Sequence, residues 1–472
     1  MTTTRLTADE DLTAGLARML AAIARPGDAL LLDGPVGAGK THFARAFIRA
    51  RQGDAAEDVP SPTFTLVQTY DDPQGTEIWH ADLYRLSDPS ELDELGLDEA
   101  LDRAICLIEW PDRLAALPEG AMTVSLASCD DPGLRRITLI GGDPRAVPLA
   151  AFVARAGWSQ ARVLPLAGDA SARRYFRLTG PRGSAVLMDD PSGDCVRFVE
   201  MTRWLHAHGF GAPAILAEDS DHGLLLVQDL GDDLVARVLE RQPDLAPMIY
   251  ARITDFLIDL HRQKVPAFVA ALDGPALADQ VGLFAEWYPQ AAGVATGSAE
   301  AIAPTIAATI ADLHEGLATD IAPVLGLRDF HAENLIWRDA APLGVIDYQD
   351  AVACHPAYDL VSALQDARRD VAPDIEAACI ARYLTATGLD ADRFRAAYAL
   401  LGAQRNLRIM GIFTRLCIRD GKPRYLDLMP RVWGHLRRDL AHPALHALAR
   451  IVDALPDPDP ATIERIRRQC AR

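Results

Sequence analysis

Two groups of residues in this chain have the types and spacing of phosphate chemistry. The first opens at Gly34-Pro-Val-Gly37-Ala-Gly39-Lys40-Thr41, which fits the pattern GxxxxGK[ST]. Glycines at 34, 37 and 39 let backbone N–H groups turn inward onto phosphate oxygens. Lys40 adds a charge at the β/γ phosphates, and the Thr41 hydroxyl can ligate Mg²⁺. A carboxylate on the metal side is expected at the end of another strand. Glu109, which closes Ala104-Ile-Cys-Leu-Ile-Glu109, supplies it. Ser61-Pro-Thr-Phe-Thr65 reads as a loop sensing the γ-phosphate, and His80 and Asp82, two apart, share one side of a strand.

The second group is Asp329 with Asn334 five residues beyond it, and then Asp347 at the end of a short apolar run. A phosphotransferase needs one Asp to accept the proton of the substrate hydroxyl. It also needs an Asn and a second Asp to hold Mg²⁺ across the phosphates. Asp329, Asn334 and Asp347 match in type, order and spacing. Upstream, Gly168-Asp-Ala-Ser171-Ala-Arg173-Arg174 lies between two predicted strands and can serve as a nucleotide-covering loop. Leu224 to Gly231 reads as a hinge strand. Asp359, in His355-Pro-Ala-Tyr-Asp359, reads as a structural cap.

Different elements must position the two groups. Short apolar runs at 29–32, 63–70, 77–82, 105–109, 122–127 and 136–140 alternate with helical stretches, which predicts an α/β sheet for the first third. Gly141-Gly142-Asp143-Pro144 breaks the pattern, so the predicted domains are 1–145 and 146–472. Strands are predicted at 163–166, 175–178, 185–188 and 224–228. From about residue 232 the pattern becomes helical, so the second domain is a small β-rich lobe followed by a larger helical lobe.

Bulk composition excludes several classes. A chain of 472 residues exceeds what one hydrophobic core usually holds, and predicts two domains. The net charge of −19 argues against wrapping nucleic acid directly. Residues 1–150 hold 25 acidic and 13 basic side chains, so most of that charge sits on the first domain. No run approaches the length of a membrane helix. The 7 cysteines are scattered, odd in number and never CxxC, which predicts a reduced cytoplasmic setting without a disulfide frame.

Four segments of the first third, GPVGAGKT, SPTFTLV, HADLYR and LIEWPDR, resemble the TsaE family, the P-loop ATPases of bacterial tRNA threonylcarbamoyladenosine synthesis. The resemblance covers about residues 5–142. It implies Lys40 on phosphates, Thr41 and Glu109 at Mg²⁺, and Asp82 near the attacking water. It also implies work beside TsaB- and TsaD-like partners, which would handle the tRNA. The rest resembles the aminoglycoside phosphotransferase superfamily over about residues 150–440. Within it, GDASARRYFRL, LRDFHAENLIW, IDYQDA and QRNLRIMGIFTRL resemble the AmgK branch, anomeric kinases of N-acetylmuramate and N-acetylglucosamine in cell-wall recycling. This resemblance implies a bilobal α+β kinase fold using ATP and Mg²⁺, with Asp329 as base.

The chain has only three lysines, Lys40, Lys264 and Lys422. Kinase folds usually place a lysine on the third strand, and here that strand reads Ala185-Val-Leu-Met-Asp-Asp190. Either the domain is inactive or another cation serves, with Arg173 and Arg174 as the candidates. A muramate carboxylate would call for an arginine, and the sequence does not choose among Arg368, Arg369, Arg405 and Arg408. Two alternatives remain open for the second domain: another hydroxylated acceptor, such as an aminoglycoside or a choline-like compound, or a nucleotide-binding regulatory module.

Overall fold

A computed structural model describes residues 2–53, 58–86, 96–166, 172–193, 195–339 and 341–471. The chain forms two compact units, Met1–Val196 with Ala214–Asp229, and Arg197–Pro213 with Leu230–Arg472.

The first unit begins with β1 (Thr3–Ala8), α1 (Glu10–Ile23), β2 (Ala29–Asp33) and α2 (Lys40–Gln52). It continues through β3 (Val67–Asp71), β4 (Glu77–Asp82), α3 (Leu97–Arg103), β5 (Ile105–Glu109), β6 (Met122–Ser128) and β7 (Arg135–Ile140). The seven strands lie in the order β1-β7-β6-β2-β5-β4-β3. β2 runs parallel to β5 and β6, and β4 runs parallel to β5. Parallel central strands are covered on both faces and need continuous apolar runs. Leu30-Leu31-Leu32 and Ile105-Cys-Leu-Ile108 supply them and are fully buried. Because β2, β5 and β4 point the same way, their C-terminal ends share one sheet edge. β1 and α1 were not foreseen in the sequence. Residues 63–66 were expected in a strand but form a turn, with Leu66 at φ 63° and its N–H bonded to the Pro62 carbonyl.

The same unit goes on through α4 (Ala146–Arg155) to an antiparallel sheet of β8 (Arg162–Leu166), β9 (Arg174–Gly180), β10 (Gly183–Asp189), β11 (Ile215–Asp219) and β12 (Leu224–Gln228). Its strand order is β11-β12-β10-β9-β8. One apolar cluster runs from Leu16 and Leu20 of α1, through Leu149 and Phe152 of α4, to Phe176, Leu187 and Leu226 of this sheet. The predicted break at 143–148 therefore falls at the start of a helix packed against α1.

The second unit holds most of α5 (Val196–Ala207), then α6 (Val235–Arg241), α7 (Ala246–His261), α8 (Gly274–Ala291) and α9 (Thr296–Leu317). Short strands β13 (Ala270–Ala271), β14 (Val324–Gly326), β15 (Leu335–Ile336), β16 (Gly344–Val345) and β17 (Val352–Cys354) interrupt the helices. Then come α10 (Ala357–Leu364), α11 (Pro373–Thr387), α12 (Ala391–Ile418), α13 (Met429–Leu440), α14 (His446–Asp453) and α15 (Pro460–Arg467). α12 packs on α8, α10 and α13, and for that reason even its polar Gln404, Arg405 and Asn406 are buried. Cys417 of α12 is disulfide-bonded to Cys470, a single pair where the sequence predicted no disulfide frame. A separation of 53 residues hides such a pair from spacing arguments. Among the described residues no helix is long and apolar enough to cross a membrane.

Candidate active sites

The first site assembles at the shared sheet edge. The chain leaves β2 and turns through Gly34, whose φ is 141°. A Cβ there would stand 2.3 Å from the Leu126 carbonyl oxygen, so only glycine fits. Gly37 and Gly39 also have positive φ, and Gly39 leads into α2. Lys40 and Thr41 thus open α2, where free N–H groups and the helix dipole favour an anion. Lys40 is 5% exposed. Its Nζ donates to the carbonyls of Gly34 (2.7 Å) and Pro35 (3.1 Å) and lies 3.7 Å from the centre of the Trp110 ring. Burial lowers the Lys40 pKa, and Glu109, Asp82, Asp33 and Asp112 oppose that shift.

Glu109 ends β5, where its carboxylate accepts from Thr41 Oγ1 at 2.8 Å and lies 3.1 Å from His80 Nε2. Asp82 ends β4 and accepts from Ser61 Oγ (3.1 Å), Thr63 Oγ1 (2.5 Å) and the Tyr84 N–H (3.1 Å). The structure thus gathers Lys40, Thr41, Asp82 and Glu109, with the 61–65 loop fastened to Asp82. Two partners had no role in the sequence reading. His80 is fully buried and holds Glu109. Trp110 sits in left-handed backbone at φ 60° and carries the Lys40 ammonium on its ring. The Trp110-Pro111 pair after the strand was the available signal.

The second site is built by a two-residue ribbon. β15 and β16 pair through Leu335 with Val345 and Ile336 with Gly344. That register sets Asn334, just before β15, beside Asp347, just after β16, and the Ile346 N–H bonds the Asn334 carbonyl at 3.0 Å. The Asn334 amide donates to the Asp329 carbonyl (2.9 Å) and to the Asp347 carboxylate (3.3 Å). Gln349 Nε2 also donates to Asp347 at 2.8 Å. Arg328 and Asp347 both hold positive φ, 71° and 61°, a strain that clusters at functional loops. Asp359, 1% exposed, accepts from the N–H groups of Leu327 (2.5 Å) and Arg328 (2.9 Å). It therefore anchors the loop carrying Asp329, not the helix it sits on. Burial pushes its pKa up to about 6, against those two N–H groups and Arg405.

In the first unit, Arg173 Nε donates to Asp190 at 2.7 Å. Arg174 binds both Asp189 and Asp143, and Arg145 Nε also reaches Asp189, at 2.9 Å. The strand expected to carry a lysine therefore ends in two buried carboxylates held by arginines. Gly168 and Ser171 lie outside the described residues.

The oxygen donors present, Thr41 and Glu109 at one site and Asn334 and Asp347 at the other, suit a hard divalent cation. Asn334 uses its amide N–H groups within the cluster, and its carbonyl oxygen has no partner among the described residues.

Fold and sites together define a P-loop ATP-binding domain joined to a kinase-type phosphotransferase. The chain belongs to the phosphotransferase enzyme family, matched over residues 162–398, and its N-terminal part belongs to the family described as threonylcarbamoyl adenosine biosynthesis protein TsaE, matched over residues 7–137. It is 40% identical over 353 residues to the N-acetylmuramate/N-acetylglucosamine kinase of Caulobacter vibrioides, covering 64% of this chain and 94% of that protein. It is 35% identical over 321 residues to the kinase of that name from Pseudomonas aeruginosa, covering 65% and 92%. It is 43% identical over 123 residues to the tRNA threonylcarbamoyladenosine biosynthesis protein TsaE of Rickettsia bellii, covering 26% and 84%. The C-terminal part is an ATP-dependent phosphotransferase and the N-terminal part an ATPase.

Proposed function

We propose that the chain joins two ATP- and Mg²⁺-dependent activities in the cytoplasm. The N-terminal part hydrolyses ATP for tRNA threonylcarbamoyladenosine formation, working with TsaB- and TsaD-like proteins and meeting tRNA only through them. The C-terminal part moves the γ-phosphoryl group of ATP to the anomeric hydroxyl of N-acetylmuramate or N-acetylglucosamine. The observation carrying the kinase reading is the convergence of Asp329, Asn334 and Asp347 across the β15–β16 ribbon. Asp329 receives or positions the hydroxyl proton, while Asn334 and Asp347 would hold Mg²⁺ against the phosphates, where the ion neutralises developing charge. At the first site Lys40, with Gly34, Gly37 and Gly39, holds the phosphates. Thr41 and Glu109 would hold the ion, and Asp82 directs water. Arg173 is the phosphate cation we favour at the lysine-free strand. With Gly168 and Ser171 it would cover the nucleotide; it is paired with one carboxylate, Asp190, whereas Arg174 is paired with two, Asp143 and Asp189.

ADP release by the full chain, with ATP and each amino sugar in turn, tests the kinase reading. We expect sugar-dependent release and a phosphorus NMR signal for a 1-phosphate. Sugar-independent release, or release only with an aminoglycoside or choline, would replace this assignment.

A further inference from the structure

Several half-buried guanidinium groups in this protein meet carboxylates, as in Arg51–Asp72, Arg145–Asp189 and Arg173–Asp190. Arg405 departs from that pattern. It is 6% exposed, and among the described residues it has neither an ion pair nor a hydrogen bond, with its buried Nε unpartnered. Arg408, three residues on along α12 and so on the same face, likewise forms no ion pair among the described residues. The side chain of Arg328, adjacent to Asp329, is in the same position, with a buried Nε that makes no hydrogen bond.

These groups are neighbours. Arg408 lies within electrostatic reach of Arg328, Arg405 and Asp329. Arg405, Arg368 and Asp329 lie within reach of His331, whose Nδ1 is buried without a partner. Three carboxyl groups stand near, Asp329, Asp359 and Asp366, and among the described residues none forms an ion pair with Arg328, Arg405 or Arg408. Asp359 already serves the Leu327 and Arg328 N–H groups. Asp366 caps the Arg368 N–H and lies 3.8 Å from Arg369. Arg405 is therefore buried without an ion pair beside the half-buried Arg328 and Arg408, an arrangement that costs stability unless an anion completes it. Paired guanidinium groups suit a carboxylate especially well.

We propose that Arg405 and Arg408, with Arg328, bind a carboxylate carried by the acceptor sugar and so favour a carboxylate-bearing amino sugar over its neutral counterpart. This rests on the kinase reading of Asp329, Asn334 and Asp347. The same cations could instead serve the transferred phosphoryl group, and the two sources separate experimentally.

The test uses the full chain and compares kcat/KM for N-acetylmuramate with that for N-acetylglucosamine. In the Arg408→Gln chain the ratio should fall by about tenfold or more, mainly through KM for the acidic sugar. The methyl ester of N-acetylmuramate, offered to the unaltered chain, should lose a comparable factor, and this arm decides if the variant does not fold. Equal losses for both sugars would assign the cations to the phosphoryl group and overturn the proposal, as would an unchanged ratio together with full activity on the ester. Turnover of neither sugar by the unaltered chain would sink the kinase reading and this assignment with it. Turnover of both without discrimination would sink this assignment alone.

Discussion

Asp82 and Glu109 stand directly opposite each other in the parallel register of β4 and β5. Two buried carboxylates from different strands thus reach the same level of one sheet edge. Their partners separate their work. Glu109 is tied to Thr41 in the first turn of α2, on the side proposed for the phosphates and Mg²⁺. Asp82 is tied to Ser61 and Thr63 of the neighbouring loop.

That division predicts different losses. Asp82→Asn should retain nucleotide binding but hydrolyse ATP about 10²–10³-fold more slowly. Lys40→Ala should weaken binding and hydrolysis together, because it removes a cation aimed at the phosphates. Phosphate release and titration with a fluorescent ATP analogue report the two effects. Neither change should alter sugar-dependent ADP release. An Asp82→Asn chain that hydrolyses ATP normally would remove Asp82 from the reaction.

At the second site Asp329→Asn should cut sugar phosphorylation by about 10³-fold, since a positioned base contributes roughly 10²–10⁴. Sugar-independent hydrolysis at the P-loop should remain. Asp359→Asn should also slow the kinase, by loosening the Leu327–Arg328 backbone that carries Asp329. Wild-type kcat in the Asp359→Asn chain would show that the loop needs no such anchor.

Legibility in the sequence follows from how local each feature is. β4, β5 and β12 occupy the residues expected, β5 and β12 because each is an apolar run bounded by polar or turn residues. The glycine loop before α2 and the Asp329–Asn334–Asp347 set stood out in the sequence because each lies within a short segment, and the structure brings Asn334 to both Asp329 and Asp347. β1 was hidden because four of its six residues are polar and it borrows its order from β7. His80 could not be assigned, because its partner Glu109 lies 29 residues away on an adjacent strand. The surplus around Arg405 depends on which arginines lack acids nearby, and only tertiary packing determines that.

Burial raises the Asp439 pKa to about 8, with Gln365 and Asn406 donating to its carboxylate. An unfolded Asp titrates near 3.9. Between about pH 4 and pH 8 the native state therefore holds a proton that the unfolded chain has lost. Stability from this group falls as pH rises through that window and is level above it. Asp359 acts with the same sign up to about pH 6. His261, His355 and His435, held neutral by burial with pKa values of about 3, 4 and 4, act oppositely up to about pH 6.5. The difference between wild type and Asp439→Asn isolates the carboxyl. In thermal melts at pH 5, 7 and 9 the variant should gain on wild type as pH rises. Parallel curves would show that Asp439 ionises normally.

The last prediction concerns the join. Phe152 of α4 is 3% exposed and belongs to the apolar cluster that contains both Leu16 of the ATPase part and Phe176 of the phosphotransferase β-sheet. The ion-pair group Asp143–Arg174–Asp189–Arg145 crosses the same join. A Phe→Ala change in such a core costs about 3–5 kcal/mol. If each activity depended on a separate core, the loss would fall on one of them. With a shared core, Phe152→Ala should lower the heat-inactivation midpoints of ATP hydrolysis and sugar phosphorylation together, read as residual activities after graded heating of the full chain. Arg145→Ala should do the same more weakly, because Arg174 still neutralises Asp189. Loss of one activity while the other keeps its wild-type midpoint would mean that the two parts fold independently across residue 145.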